Sequence, residues 1–394
     1  MSDLASPATA VLAAPSAGES AGTSPRPGHF PGLDSLRAYA ALFVVLGHIP
    51  MTQESRGLPH PSPGALFFRG APAVSFFFTL SGFLITWLLL AEQRRRGRID
   101  IRAFYLRRVL RIWPLYFATV AFGLLFYNWL VTRVGMSYEV RYPLWLALLL
   151  YVFFLPNLMN SLYTVGGLLN PSWSIGIEEQ FYLGWAPLVR RWHRHLGGIS
   201  LAVLLGSFLL FVATQRFLGL PGVAVKFFGQ LKFHFMAAGA LAAWRLHHRP
   251  ERLLSLPVFT RPWLQVALGL FLVQFYLVDF VPMPFWLEEA VQLALYTWLV
   301  VEVGANPRRL MPFASRPMEW LGKISYGLYM LHMVAVYAVT FLFLHSHWWQ
   351  ASLPLYLFAF WAFSGQTLGM RFFDIRIEHE GKWVIGPRRA FRRL

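Results

Sequence analysis

The 394-residue chain has no cysteine and few charged side chains. Without thiols it can form no disulfide, no thiolate metal site and no acyl-thioester on the protein itself. Charged residues make up 13% of the chain, whereas an ordinary soluble domain contains about 25%, and this deficit excludes a soluble enzyme. Lysine is also scarce, at four of the 35 basic residues, and this arginine bias favours a bacterium with a GC-rich genome.

Long hydrophobic runs are abundant. Runs of about 18 to 25 mostly apolar residues recur from Leu33 to Phe373, and each is long enough to cross a hydrocarbon core of about 30 Å. The predicted fold class is therefore all-α, a polytopic membrane helix bundle with about ten transmembrane helices. The predicted spans are 34–51, 72–91, 112–131, 173–189, 198–216, 229–246, 262–281, 285–303, 321–344 and 351–371.

The basic residues indicate the orientation of the chain, because short loops rich in lysine and arginine lie in the cytoplasm. With ten spans and both termini cytoplasmic, 27 of the 35 basic residues fall on the inner side and six on the outer side. A further apolar stretch, 142–158, would place the clusters at 190–194 and 308–316 outside if it crossed. We therefore predict that this stretch is re-entrant or surface-lying, in a multi-pass protein of the bacterial cytoplasmic (inner) membrane.

The chain is expected to hold one large domain between two tails. Residues 1–30 are rich in Ala, Ser, Pro and Gly without an apolar signal-peptide run, which predicts a disordered N-terminal tail. Residues 31–375 contain all the predicted spans, and residues 376–394 form a basic tail expected in the cytoplasm. Any chemistry should therefore take place in or beside the bundle.

The first span carries an arginine and a histidine. Arg37 and His48 are eleven residues apart, about three turns and about 16 Å of rise, so both lie on nearly the same helix face. Arginine inside a span is costly, which makes such residues functional candidates. Alternatively, Arg37 snorkels to the inner interface and His48 caps the outer end of the helix.

A second group of cations follows the second span. The run Arg94–Arg98 fits a topology signal that also contacts anionic lipids. Arg107, Arg108 and Arg111 differ from this run, because the last two share a helix face and Pro114 follows within one turn. Guanidinium groups gathered at a membrane helix end suit a polyphosphate ligand, which they grip with bidentate hydrogen bonds.

Carboxylates and small residues add further candidates. Glu178 and Glu179 open the fourth span, where acids also favour the helix dipole. Adjacent side chains on a helix point about 100° apart, so at most one of the two should face a common site. Ser81 and Gly82 interrupt a bulky run in the second span, which lets another helix or a ligand come close.

The ninth span carries a polar stripe, because Tyr326, Tyr329 and His332 step by three residues along an otherwise apolar helix. A membrane histidine such as His332 is either a catalyst or a structural hydrogen-bonding residue. The histidine pairs in the inner loops lack supporting carboxylates, so no metal site is predicted.

Together these segments resemble the acyltransferase 3 family of membrane acyltransferases, which modify sugars and related hydroxyl compounds. Five motifs in register carry the resemblance: Gly32–Ala38 with His48, Phe77–Ile85, Phe104–Pro114, Pro171–Leu183 and Ile324–His332. Similarity is weaker beyond residue 332, where Phe373–His379 replaces the Phe-Ile-Glu-x-Pro-like element that often ends family sequences.

The resemblance implies an O-acyltransferase, most often an O-acetyltransferase, with cytoplasmic acyl-CoA as co-substrate and no permanently bound cofactor. It implies His48 as the general base, Arg37 as its electrostatic partner, and Arg107, Arg108 and Arg111 as the site of the CoA phosphates. From the patterns above we add Glu178 and His332 as catalytic candidates and, as supporting residues, Ser81, Tyr326, Tyr329 and Glu179. The expected partners are acyl-CoA, a glycan or other hydroxyl acceptor and membrane lipids, but not nucleic acid.

Two other classes remain open. A transporter or flippase of a glycan or lipid-linked substrate would show internal symmetry and paired broken helices, and neither is evident in the sequence. A membrane-bound O-acyltransferase of another fold could use an intramembrane histidine such as His332, but it would not explain the Arg37/His48 spacing.

The predicted orientation can be tested with a tag at residue 195. The tag should be accessible only from the cytoplasm, because the neighbouring arginine cluster at 190–194 then lies on the inner side. Labelling of the tag from outside intact cells would show that the ten-span arrangement is wrong.

Overall fold

The computed structural model describes residues 30–55, 70–133, 138–276, 282–310 and 314–343. All regular structure in these ranges is helical, which confirms the all-α prediction. A π-helical turn, Phe126–Leu130, extends the third α-helix, and a 3₁₀ turn, His193–His195, joins the sixth to the seventh. The α-helices in chain order are α1 (Pro31–Ser55), α2 (Gly70–Arg96), α3 (Ile101–Leu125), α4 (Leu144–Val152), α5 (Pro156–Leu162), α6 (Ser172–Trp192), α7 (Leu196–Arg216), α8 (Gly222–Gln230), α9 (Phe233–His248), α10 (Pro250–Leu254), α11 (Pro257–Thr260), α12 (Pro262–Tyr276), α13 (Phe285–Ala305) and α14 (Arg316–Phe343).

Four described segments are long and apolar enough to cross a membrane, namely Gly32–Glu54, Ala71–Arg96, Ile101–Leu130 and Ser172–Arg216. The last of these contains both α6 and α7, each 21 residues long, or about 31 Å by helical rise. The protein is therefore a multi-pass membrane protein. The count of about ten spans and the cytoplasmic termini stay predictions, since the predicted span 351–371 and nearly all of both tails lie outside the described residues.

The ambiguous stretch 142–158 does not cross as one helix. It holds α4, a turn and the first residues of α5, and α4 has only nine residues, about 14 Å of rise against a core of about 30 Å. At the turn, Phe154 has a φ of 56°, and its ring stacks on Tyr116 of α3 at 4.6 Å. Its carbonyl oxygen accepts a hydrogen bond from Gln180 Nε2 of α6 at 2.8 Å. The turn is thus held against α3 and α6.

Helix α3 begins earlier than the sequence predicted. The predicted span began at residue 112, but α3 starts at Ile101, and Asp100 caps it by accepting the Ala103 amide at 2.9 Å. This hydrogen bond holds the pKa of the exposed Asp100 carboxyl below its usual value. Pro114 lies inside the helix. The N-terminal cap and the continuous apolar face stabilise the helix by more than the one proline destabilises it. The three arginines at 107–111 therefore lie along a helix and not at its end.

Helices α2 and α9 approach each other backbone to backbone. A Cβ atom added to Gly82 of α2 would lie 1.9 Å from the Met236 carbonyl oxygen of α9. One added to Gly239 of α9 would lie 2.0 Å from the Thr79 carbonyl oxygen of α2. Glycines permit such close contacts between membrane helices, as the sequence predicted for Gly82. The contact fixes α2, and with it Ser81, relative to the other helices.

Helices α1 and α14 run side by side in the same direction. A Cβ atom added to Gly322, early in α14, would lie 1.8 Å from the Asp34 carbonyl oxygen, early in α1. About four turns further along α1 and three along α14, the rings of His48 and His332 are in contact, with centroids 4.8 Å apart. This parallel packing brings the polar stripe of α14 against the Arg37/His48 face of α1.

Substitution of Gly82 by alanine should destabilise the bundle. The new methyl group would overlap a backbone oxygen that cannot rotate away, so we expect Gly82→Ala to cost at least about 2 kcal/mol. The measurement is thermal unfolding of the detergent-solubilised protein. The matched control is Gly206→Ala in α7, where a Cβ atom meets nothing within 4 Å, and alanine should be neutral or stabilising there. Equal stability of the two variants would contradict the packing.

Candidate active site

An open cavity with about 650 Å³ of empty volume lies between α1, α2, α3, α6 and α14. Its wall combines an apolar part with cations, one carboxylate and several hydroxyls. The polar lining residues are Arg37, Ser81, Arg108, Arg111, Ser174, Glu178, Tyr182, Ser325, Tyr326 and Tyr329. Seven of the eleven residues predicted as site residues are in this group, which thus unites motifs from five helices.

Three guanidinium groups face the cavity from two helices. Arg37 of α1 is held by Asp34 one turn earlier, with 3.2 Å between Nη1 and Oδ1. Arg108 of α3 lies over the rings of Phe104 and Tyr182, at 5.6 and 5.4 Å from their centroids. Among the acids that the structure describes, none forms an ion pair with Arg108 or Arg111. Arginines that line a cavity without a direct ion pair suit an anionic ligand such as a phosphate or pyrophosphate.

Arg107 lies elsewhere. Its Nη2 atom is 3.6 Å from Glu92 Oε2 of α2, and its side chain is not part of the cavity wall. Neighbouring residues on a helix point about 100° apart, so Arg107 and Arg108 cannot both face the cavity. The structure thus brings Arg37, in place of Arg107, together with the other two arginines.

Glu178 is the carboxylate of the cavity, and both of its oxygens are held by hydroxyl groups. Ser81 Oγ donates to Oε1 at 2.8 Å, and Tyr182 OH donates to Oε2 at 2.9 Å. Glu179 points away from the cavity, where its Oε2 accepts a hydrogen bond from Trp113 Nε1 at 3.3 Å. Only one of the two adjacent acids therefore faces the site, as the helical spacing predicted.

The polar stripe of α14 supplies further hydroxyl groups. Tyr329 OH lies 2.6 Å from Ser174 Oγ of α6 and donates to the Pro171 carbonyl oxygen at 3.2 Å. Tyr326 OH donates to the Ile112 carbonyl oxygen of α3 at 2.8 Å. The stripe thus ties α14 to α6 and α3 while its side chains line the cavity.

The two histidines lie together beyond the last tyrosine of the stripe. His332 Nδ1 is 2.6 Å from the carbonyl oxygen of Tyr329, and His48 Nδ1 is 2.8 Å from that of Val44. Their rings meet edge to face at 65°. The structure pairs His48 with His332 and leaves Arg37 about three turns away, beside the other arginines. The proposed partnership of Arg37 with His48 is not a contact.

Ser174 and Tyr182 also line the cavity, although neither was among the predicted site residues. The signal was present, because these residues lie four positions before and after Glu178 and share its helix face. No group of three or more potential metal ligands occurs in the described parts of the chain. The donor set of arginines and hydroxyls instead fits an anionic organic ligand.

These features define a multi-pass membrane protein with an open polar cavity lined by arginines. The Acyl_transf_3 family model, described as an acyltransferase domain, matches residues 30–364. The chain therefore belongs to the acyltransferase 3 family, which confirms the prediction from the five motifs.

Three relatives illustrate the similarity. The chain is 26% identical to the YrhL protein of Bacillus subtilis (strain 168) over 77% of its own length and 48% of that protein. It is 24% identical to the O-acetyltransferase OatA of Staphylococcus aureus (strain NCTC 8325 / PS 47), over 84% of the chain and 54% of the relative. It is 25% identical to the peptidoglycan O-acetyltransferase OatA of Listeria monocytogenes serovar 1/2a, over 77% of the chain and 49% of the relative. The chain thus spans about half the length of these relatives. No solved structure matches it significantly.

Proposed function

We propose that the protein is a membrane-embedded O-acyltransferase that moves an acyl group, in the simplest case acetyl, from cytoplasmic acyl-CoA to a hydroxyl of a glycan. The observation that carries this proposal is one cavity with three arginines in its wall and a histidine pair beyond it. Family membership supports acyl transfer.

The arginines are the groups suited to hold the donor. Arg108 and Arg111 have no direct ion-pair partner among the described acids, so a CoA phosphate would supply one. Arg37 adds a third cation, which Asp34 keeps in place through its carboxylate. The apolar part of the wall, which includes Val74, Phe77 and Ile175, would then contact the pantetheine arm.

His48 is the proposed general base. A carbonyl oxygen only accepts hydrogen bonds, so the contact with Val44 requires a hydrogen on His48 Nδ1, and the neutral ring carries its lone pair on Nε2. Nε2 takes the acceptor's hydroxyl proton as the hydroxyl oxygen bonds to the thioester carbon. The carbon–sulfur bond then breaks, and the proton passes from His48 to the CoA thiolate. Tyr329 is the cavity hydroxyl nearest in sequence to the pair, and it is proposed to stabilise the oxyanion by turning its O–H hydrogen from the Pro171 carbonyl oxygen to the substrate.

We propose a cell-envelope glycan as the acceptor and the bacterial cytoplasmic membrane as the location. The Listeria relative is named a peptidoglycan O-acetyltransferase, which makes peptidoglycan the first acceptor to test. A transporter or flippase would move a substrate without forming a bond to it, so covalent incorporation of label separates the two functions.

Removal of the base should abolish transfer but not donor binding. In proteoliposomes given labelled acetyl-CoA and solubilised peptidoglycan strands, His48→Ala should lower the transfer rate at least about 100-fold, as expected for loss of general base catalysis. Binding of acetyl-CoA should stay within about twofold, since the arginines remain. An unchanged transfer rate in His48→Ala would overturn the assignment of the base, and a wild-type protein without covalent transfer would overturn the proposed function.

Substitution of the arginines that line the cavity should weaken CoA binding more than substitution of an arginine outside it. Arg108→Gln and Arg111→Gln should each weaken CoA binding about tenfold or more, because a charged hydrogen bond contributes about 1.5 to 3 kcal/mol. Arg107→Gln is the matched variant on the same helix, and its effect should stay within about threefold because its partner is Glu92. Isothermal titration with CoA measures all three. Equal losses in the three variants would favour the original grouping of Arg107 with the other two.

A further inference from the structure

The side chain of His332 is completely buried, at 0% exposure, yet one of its ring nitrogens is unused. Nδ1 faces the Tyr329 carbonyl oxygen at 2.6 Å, and because a carbonyl oxygen accepts only, this nitrogen carries the hydrogen. The neutral ring therefore has its lone pair on Nε2. No described residue donates to that atom, although it is inaccessible to solvent. Buried acceptors normally have a partner, so this one calls for an explanation.

The explanation comes from the neighbouring residue, His48. The ring of His48 lies edge to face with the ring of His332, at 4.8 Å between centroids. His48 is only partly buried, whereas His332 is fully buried behind it. His48 thus has exposed surface for a substrate to contact, and His332 has none. Of the two described rings in contact with His332, those of His48 and Tyr329, only that of His48 takes up a proton in the proposed reaction.

The two rings can form a hydrogen bond through their Nε2 atoms only after one of these atoms is protonated. In the resting state both Nε2 atoms carry lone pairs, so the rings cannot hydrogen-bond to each other through these atoms. When His48 takes a proton on Nε2, it gains an N–H group, and the ring packed against it carries an acceptor without a partner in the described part of the chain, His332 Nε2. His332 Nε2 has no hydrogen-bond partner among the described residues, so the contact requires a change in the relative orientation of the two packed rings.

We propose that His332 is a positioning residue that accepts a hydrogen bond from the protonated form of His48. The inference rests on the proposed function, in which His48 takes the hydroxyl proton and later returns it to the CoA thiolate. His332 stays neutral throughout, so protons balance without a further group. Because this hydrogen bond forms only as charge develops on His48, it favours the transition state over the ground state.

The test compares two substitutions of His332 in proteoliposomes with labelled acetyl-CoA and solubilised peptidoglycan strands. His332→Phe fills a similar volume without an acceptor, and it should lower kcat at least tenfold with KM for acetyl-CoA within twofold. His332→Gln places an amide oxygen near the lost nitrogen, and it should recover kcat to within about threefold of wild type. A purely structural role would instead lower folded yield and CoA binding together and would not distinguish Gln from Phe.

Two controls separate the possible outcomes. Thr340→Val removes another buried polar group about two turns further along the same helix, and it should leave kcat unchanged. In a His48→Ala background, His332→Phe should cause no further loss, because it acts through His48. Wild-type kcat in His332→Phe, or losses that simply multiply in the double variant, would overturn this inference and leave the proposed function intact. Absence of transfer by the wild-type protein would overturn both.

Discussion

A polar side chain among membrane helices needs a partner, because neither lipid nor apolar neighbours can replace the water it has lost. This constraint explains most of the polar contacts in the bundle. Glu178 is held by Ser81 and Tyr182, and Arg37 is held by Asp34. Where the described residues supply no direct ion pair, as for Arg108 and Arg111 of the cavity wall, the same constraint makes an anionic ligand the natural partner. The polar groups without a protein partner thus indicate where a ligand binds.

The contacts of the cavity depend on close helix packing elsewhere. Ser81 reaches Glu178 only because α2 is fixed by its backbone contact with α9, at the glycine that follows Ser81. In the same way, the pairing of His48 with His332 depends on the parallel packing of α1 and α14, which begins at Gly322. Small residues where helices cross therefore determine which polar side chains meet in the cavity and beside it.

Another buried cluster shows that intramembrane charge does not by itself indicate a site. Lys232 and His234, at the start of α9, both donate to Glu289 of α13, with His234 Nε2 at 2.9 Å from Oε1. Both donors bind the same carboxylate oxygen, Oε1, and Glu289 is not part of the arginine-lined cavity. The sequence showed no pattern here, because Glu289 comes from a distant helix. We interpret the cluster as an ionic contact that joins α9 to α13.

The sequence by itself determined the all-helical class, the membrane location and most of the polar residues in the cavity wall, because hydrophobic length, helical period and short motifs are local properties of the chain. It also predicted that only one of Glu178 and Glu179 faces the site. Three features required the tertiary structure. Helix α3 begins at Ile101 because its cap and its tertiary packing stabilise it by more than Pro114 destabilises it. Arg37, and not Arg107, joins the other arginines because the rotation of each helix is set by its neighbours. His48 meets His332 because two helices from opposite ends of the described chain pack in parallel, and sequence spacing carries no information about such contacts.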